Sequence, residues 1–174
     1  MSKKELEKQL DNLFTANDKT SGREQADITG LIGQYAHGNE PSHHMAYLYN
    51  FVNKPHKTQE KTRQILTELY TNSPDGISGN EDCGQMSAWY ILSTLGFYPV
   101  NAASGNFVLG SPQVRKACIQ LGEDQQFVMK AAHFSKRNIY NEQPTLNQKA
   151  LSTPEFNYTE IMKGGVLKFN MTAH

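Results

Sequence analysis

The sequence has few of the features that mark several functional classes. Its two cysteines, Cys83 and Cys118, lack the C-x-x-C spacing of a four-ligand zinc site and are most simply free thiols. The 17 basic residues balance 17 acidic ones without a run of like charge, which argues against nucleic acid or an anionic membrane as a partner. No apolar stretch approaches the ~20 residues of a membrane span. A mean hydropathy of −0.62 indicates a modest core.

Apolar spacing predicts secondary structure for most of the chain. Helices are predicted over residues 3–15, 42–51, 56–70 and 83–95. Polar residues 17–22 should end the first helix, and residues 25–34 are predicted as a loop or short helix. Gly96 suits the position just past the last of these helices.

The pattern changes after Tyr98, where glycine and proline divide the chain into short, partly alternating segments. These segments predict strands from about residue 107 onwards, including 166–170, whereas 138–154 is polar without a clear period. Gly164 and Gly165 are predicted as a bulge or turn that enters the last strand. The chain length fits one domain, or a helical unit followed by a small β unit.

One carboxylate, three histidines and a glycine–proline turn lie together in residues 35–49, YAHGNEPSHHMAYLY. At the start of a helix, the charge of Glu40 would interact with the helix dipole and stabilise the helix by ~0.3–1 kcal/mol. Alternatively, His37, His43 and His44 could tune its pKa, and its natural role would then be general acid. Because His43 and His44 are adjacent, they point about 100° apart on a helix, which disfavours a shared metal ion.

A second loop followed by an apolar helix occupies residues 74–98, PDGISGNEDCGQMSAWYILSTLGFY. Asn80, Glu81 and Asp82 offer hard oxygen ligands that suit calcium, although the spacing is not that of an EF-hand. Asp82 could equally cap the helix that follows, since Asp is a favoured N-cap residue. Trp89 and Tyr90 are interpreted as core residues rather than as a sugar platform.

Three segments together resemble a known enzyme family. The segments HGNEPSHHMAYLYN, NSPDGISGNEDCGQMSAWYILSTLGFYPV and IMKGGVLKFNM are similar, in this order, to the C-terminal part of glycoside hydrolase family 92 α-mannosidases. Members of that family are several times longer, with an N-terminal β-sandwich and an (α/α)6 barrel. The resemblance implies a mainly α fold with some β structure. It would comprise a partial (α/α)6 array of helical hairpins over 1–100 and a small β-rich segment over 101–174.

The resemblance also implies a chemistry, because the family removes terminal α-linked mannose by inversion and requires calcium. By motif match, Glu40 is the general acid and Asn39, His43 and His44 bind substrate. Glu160 takes the place of the family's aspartate base and is longer by one methylene, a displacement that matters for a positioned base.

A second acid of the family is replaced here by Tyr158, which weakens the case for full activity. Asn80, Glu81 and Asp82 fall in the segment associated with calcium. The implied partner is a mannose-containing glycan, and neither nucleic acid nor membrane is implied.

A partial barrel has consequences for partners. We expect this chain alone to bind mannose weakly or not at all, because the sugar pocket draws on hairpins outside this segment. Faces that should pack against those hairpins favour self-association or association with a separate first half. A non-catalytic carbohydrate-binding or assembly module and a structural remnant remain the alternatives. The N-terminal MSKKELEKQL is expected to be a charged helix start and not a signal peptide, whereas family relatives are usually exported, so no compartment is assigned.

Overall fold

The computed structural model describes residues 1–19 and 28–174. Within them, α-helices α1 to α4 are Lys3–Thr15, Pro55–Glu68, Gln85–Leu95 and Tyr158–Met162, and 3₁₀-helices are Glu40–Ser42, Met45–Val52 and Ala102–Ser104. Strands β1 to β5 are Leu31–Ile32, Tyr35–Ala36, Phe97–Asn101, Asn106–Leu109 and Lys116–Gln120. Strands β6 to β10 are Gln126–Ala132, Tyr140–Leu146, Lys149–Ala150, Glu155–Asn157 and Gly165–Thr172. The predictions for 17–22 and 25–34 fall partly on residues 20–27, outside the described residues.

The strands form three sheets in the described part of the chain. β1 and β2 make a hairpin, β3, β4 and β9 pair in the order β3-β4-β9, and the third sheet has the order β5-β6-β10-β7-β8. β10 pairs parallel with β6 and antiparallel with β7. The last strand therefore lies at the centre of the largest sheet. Gly164 and Gly165, both at positive φ, lead into it, as the sequence predicted.

The mainly α prediction, with its (α/α)6-type array, is wrong. The described residues are 34% helical and 27% strand, a mixed composition. Residues 42–51 do not form an α-helix, because the chain there adopts the 3₁₀-helix Met45–Val52. The polar segment 138–154 contains β7, which pairs through its backbone with β10 and needs no apolar alternation of its own. The division near residue 100 remains a prediction.

The first helix follows its sequence closely. α1 has the predicted bounds, and Ser2 and Glu5 form a capping box at its start. Its apolar face buries Leu10 and Phe14. Among the described helices, none combines the length and apolar character needed to cross a bilayer.

Two hydrophobic cores lie on opposite faces of the β3-β4-β9 sheet. Tyr98 and Val108 pair with one another and belong to the core that contains α1, α2 and the 3₁₀-helix Met45–Val52. Phe97 and Leu109 also pair, but they belong to the core formed with β6 and β10. Because successive side chains of a strand point to opposite faces, one sheet serves both cores.

Candidate active site

The two motif loops contact each other through glycine. A Cβ at Gly38 would clash with Oγ1 of Thr29 and would lie 3.1 Å from the backbone oxygen of Ser78. Gly79 has a φ of +76°, and a Cβ there would lie 3.1 Å from the backbone oxygen of Gly38. Side chains at these positions would separate the loops, so glycine allows the backbones to meet.

Glu40 opens a 3₁₀-helix, with Pro41 in its first turn and Asn39 just before it. The backbone oxygen of Asn39 accepts the N–H of Ser42 at 3.0 Å, and Asn39 and Glu40 are both half-buried. The pKa of Glu40 is lowered, first by a hydrogen bond from its own backbone N–H and then by one with the carboxyl of Asp82. The structure therefore joins an acid from the first motif to an acid from the second.

His43 is buried, with 1% of its surface exposed, and both of its ring nitrogens have protein partners. Nε2 lies 3.0 Å from the backbone oxygen of His37, and Nδ1 lies 3.2 Å from Nε2 of Gln85. Since the carbonyl only accepts, we assign the proton to Nε2, which leaves Nδ1 to accept from the Gln85 amide. Burial lowers the pKa of His43, although the hydrogen bond to the backbone oxygen of His37 and the nearby charge of Glu40 partly offset this. His44, its neighbour, is half-buried and precedes the 3₁₀-helix Met45–Val52.

Gln85 is a connection that the sequence interpretation missed. Its amide also reaches the hydroxyl of Tyr98 at 3.1 Å, and thus links both motif loops to β3. Trp89, one turn further along α3, donates its indole N–H to the backbone oxygen of His43 at 3.0 Å. The available signal was the position of Gln85, at the start of α3 beside the acidic loop.

His37 lies at the centre of a buried hydrogen-bond chain beneath the Glu40 loop. Its Nδ1 is 2.8 Å from the hydroxyl of Tyr35, and its Nε2 is 2.7 Å from the hydroxyl of Tyr70. Tyr70 in turn donates to the backbone oxygen of Met86 at 3.3 Å. Burial lowers the pKa of His37 to about 3, so the ring is neutral at pH 7 and is held by its two tyrosine partners.

The side chains of the acidic loop Asn80, Glu81 and Asp82 do not all have the same role, since that of Glu81 caps α3. Oε1 of Glu81 accepts the backbone N–H of Ser87 at 2.8 Å, at the start of α3. Hydrogen bonds from the side chain and the backbone of Ser87, together with one from the backbone of Gly84, lower the pKa of Glu81. Gly84, and not Asp82, is the residue at the N-cap position of α3. The carboxylate that accepts a backbone N–H of the first helical turn is that of Glu81.

The donor set of this loop suits calcium in kind, because it offers only oxygens and two of its residues are carboxylates. Within the described ranges, no three His, Cys, Asp or Glu side chains are close enough to hold a metal ion. A calcium ion takes 6–8 oxygen ligands, so backbone, water or sugar oxygens would have to complete its shell. Asn80 and Asp82 are exposed and Glu81 is half-buried.

Glu160 lies in α4, on the side of the second core. Its Oε1 pairs with Nζ of Lys163 at 2.6 Å, which is its one side-chain ion pair among the described residues. The neighbouring Tyr158 is 52% exposed, and its ring covers Gly105. The structure thus brings Glu40, His43 and Asp82 together, and it holds Glu160 on a separate element.

The two aromatic residues of α3 differ in environment. Trp89 is fully buried, as predicted, and its ring packs edge-on against His37 at 4.4 Å between centroids. Tyr90 is 42% exposed, so its assignment to the core is wrong. Successive helix residues point about 100° apart, and α3 buries only one side.

Comparison with known proteins gives consistent matches. A family model described as the glycosyl hydrolase family 92 catalytic domain matches residues 1–173. The structure of a family 92 α-mannosidase from Bacteroides thetaiotaomicron, in complex with mannoimidazole, superposes with a TM-score of 0.91 at 39% identity over 99% of this chain. A family 92 inverting mannosidase from the same organism gives a TM-score of 0.83 at 31% identity over 99% of this chain.

A curated relative, an uncharacterised secreted glycosidase of Arthroderma benhamiae, is 21% identical over 137 residues, or 77% of this chain. All of these relatives are much longer. This chain covers 23% of the mannoimidazole-bound enzyme, 25% of the inverting mannosidase and 18% of the fungal glycosidase.

Proposed function

The chain belongs to glycosyl hydrolase family 92, and we propose that it supplies the acid-bearing and calcium-binding loops of an inverting α-mannosidase site. The observation that carries this proposal is the meeting of the two motif loops at Gly38 and Gly79, where the Asp82 carboxyl lowers the pKa of Glu40. The proposed substrate is a glycan that ends in α-linked mannose, because the two bacterial relatives are named as an α-mannosidase and an inverting mannosidase.

The proposed reaction is a single displacement at the anomeric carbon. Glu40 donates its proton to the glycosidic oxygen as the bond from that oxygen to the anomeric carbon breaks. A carboxylate base takes a proton from the water that attacks the opposite face, and the configuration inverts. We assign the base to Glu160. Inversion requires roughly 6.5–9.5 Å between the two carboxyls, to leave room for that water.

Glu40 needs a different environment from the one it has in this chain. Its pKa is lowered here, so the carboxyl is ionised near pH 7, whereas a general acid must carry a proton. Burial against the remainder of a family 92 domain would raise the pKa, because a low dielectric disfavours the charged form. This chain alone should therefore lack efficient turnover.

We place the proposed calcium site at Asn80, Glu81 and Asp82. A bound calcium ion would neutralise the local carboxylates and offer open positions to sugar hydroxyls. His43 has no ring nitrogen free for substrate, so we assign it a positioning role between the Glu40 loop and Gln85. Asn39 and His44 remain the proposed substrate contacts of this loop.

Calorimetry of the purified chain tests the proposal in two stages. Calcium should bind saturably, and any binding of methyl α-mannoside at this site, which we expect to be weak in this chain, should require calcium. Asp82→Asn should weaken calcium binding, whereas the matched control Asp75→Asn, at an exposed acid outside the loop, should not. Lack of calcium binding by the wild type would overturn the assignment of the loop.

An assay with an aryl α-mannoside distinguishes a chain that lacks part of its active site from a chain whose catalytic residues no longer function. We expect turnover close to background for the chain alone and a gain when the preceding part of a family 92 domain is added as a separate polypeptide. Glu40→Gln should abolish that gain. Rapid turnover by the chain alone would contradict our account of Glu40, and mannoside binding that never leads to turnover would favour a binding module.

A further inference from the structure

His37 is a buried histidine that the proposed reaction does not use, and it connects the two motif loops from beneath. We propose that His37 and Tyr70 are positioning residues for that reaction, because together they fix the Glu40 loop relative to the acidic loop. This role rests on the proposed function, whereas the hydrogen bonds that define it are properties of the chain itself.

The direction of each hydrogen bond around His37 follows from the groups at the two ends. The backbone oxygen of Met86 can only accept, so the hydroxyl of Tyr70 donates its hydrogen there, at 3.3 Å. At its 2.7 Å contact with Nε2 of His37, the same hydroxyl must therefore accept, and Nε2 carries the proton. Nδ1 of the neutral ring is then the acceptor, and the hydroxyl of Tyr35 donates to it at 2.8 Å. These contacts select a single tautomer of His37.

Backbone hydrogen bonds extend this chain to both motif loops. On one side, the backbone oxygen of His37 accepts Nε2–H of His43 at 3.0 Å, and the backbone N–H of His43 donates to the oxygen of Glu40 at 3.0 Å. On the other side, the backbone N–H of Met86 donates to the oxygen of Glu81 at 3.3 Å. An unbroken series of hydrogen-bonded residues thus runs from Glu40 to Glu81.

Packing alone does not explain a histidine at this position. The ring is fully buried, and its centroid lies 4.4 Å from that of Trp89, 4.8 Å from that of His43 and 5.3 Å from that of Tyr70. An apolar ring would fill this space without the cost of burying two polar nitrogens. The imidazole adds two hydrogen bonds of fixed direction, and a fully satisfied buried network of this kind holds its members in one arrangement.

The proposed reaction requires such an arrangement, because Glu40 and the acidic loop would contact the same sugar. A misplacement of about 1 Å can cost roughly 10²-fold in rate, even when its origin is far from the reacting atoms. His37 has no exposed surface and cannot reach a substrate, so its contribution is to position Glu40.

NMR of the ¹⁵N-labelled chain tests the direction of the hydrogen bonds. At pH 7, Nε2 of His37 should carry the proton, and Nδ1 should have the chemical shift of an unprotonated nitrogen. A proton on Nδ1 would overturn the proposal, because the Tyr70 hydroxyl would then donate to the ring and could not also donate to Met86.

Tyr70→Phe tests the connection itself, since it removes the hydroxyl and keeps the aromatic ring. The backbone amide signals of Glu40 and Glu81 should both shift, because the link between His37 and α3 is lost. Tyr35→Phe removes the other hydrogen bond of the ring and should shift the Glu40 signal as well.

Tyr47→Phe is the matched control. It removes another buried hydroxyl, one that donates to Oγ of Ser93 at 2.8 Å, on α3 but about two turns beyond the acidic loop. Urea unfolding should show a loss of stability in both Tyr47→Phe and Tyr70→Phe, whereas the Glu40 and Glu81 amide signals should stay at their wild-type positions in Tyr47→Phe. Equal shifts in the two variants would overturn the proposal, because the role would then be structural only.

The aryl α-mannoside assay with the added preceding part measures the effect on the reaction. Tyr70→Phe should lower kcat by about tenfold or more with little change in KM, and Tyr47→Phe should keep the wild-type kcat. An unchanged kcat in Tyr70→Phe would overturn the positioning role. Lack of turnover by the wild type would contradict the proposed function alone, and the tautomer and the amide signals would still decide whether His37 and Tyr70 fix the two loops.

Discussion

The carboxyls of Glu40 and Asp82 interact closely enough to lower the pKa of Glu40, although 41 residues of sequence separate them. Two carboxyls that interact influence each other's ionisation. The two groups should therefore titrate as a pair.

Asp82→Ala should raise the pKa of Glu40 toward its usual value of about 4.3, because the substitution removes one of the hydrogen bonds that lower it. Asp82→Asn should keep the pKa low, since its amide can still donate to Glu40. A ¹³C-detected NMR titration of the Glu40 carboxyl measures both. Equal pKa values in the wild type and Asp82→Ala would contradict the pairing.

Stability should fall as the pH drops from 7 to 5. The folded-state pKa of His37 is about 3 and its unfolded value is about 6.5, so in this window the unfolded chain binds more protons than the folded chain. One such histidine contributes a loss of about 2 kcal/mol over that window. The lowered pKa of His43 adds in the same direction.

Urea unfolding at several pH values measures this loss. His37→Gln should be less stable at pH 7 but should show a shallower dependence on pH, since the buried imidazole is gone. An unchanged slope in this variant would assign the pH dependence to other groups.

Gln85→Ala should destabilise the chain by about 1–3 kcal/mol, because Nδ1 of buried His43 would lose its donor. The hydroxyl of Tyr98 would lose the same partner. Gln9→Ala, at an exposed position on α1, is the control and should change the free energy of unfolding by less than about 0.5 kcal/mol. Chemical denaturation compares the free energies of unfolding of the two variants. Equal effects would show that the hydrogen bonds of Gln85 add no stability.

Gly38→Ala should destabilise by about 1–3 kcal/mol, as expected where an added methyl forces packed groups apart. The new Cβ meets Oγ1 of Thr29 and the backbone oxygen of Ser78, and the latter cannot rotate away. Gly122→Ala is the matched control, because nothing lies within 4 Å of its Cβ position. Thermal unfolding should separate the variants, and similar melting temperatures would argue against close contact of the loops.

Features encoded by neighbouring residues were predictable from the sequence. The bounds of α1 follow from its apolar spacing, and the end of α3 follows from Gly96, which takes the left-handed conformation. The family assignment followed from the motifs and agrees with the match over residues 1–173. Local pattern and long motifs therefore identified elements and ancestry.

Features set by distant contacts were not predictable in this way. β7 carries little apolar alternation and is defined by its backbone bonds to β10. The link between His43 and Gln85 joins residues 42 positions apart, and no spacing rule indicates it. The 3₁₀ geometry of residues 45–52 likewise differs from the α-helix that their apolar spacing favoured.

The sheet shared by the two cores has a consequence for cooperativity. On the paired strands β3 and β4, Tyr98 and Val108 pack into one core, and Phe97 and Leu109 pack into the other. If either core melts, β3 and β4 lose the packing on one face, and the opposite core loses the rigid wall that supports it. The polypeptide should thus unfold in a single transition. A protease cut near residue 100 should unfold both halves rather than release two stable fragments.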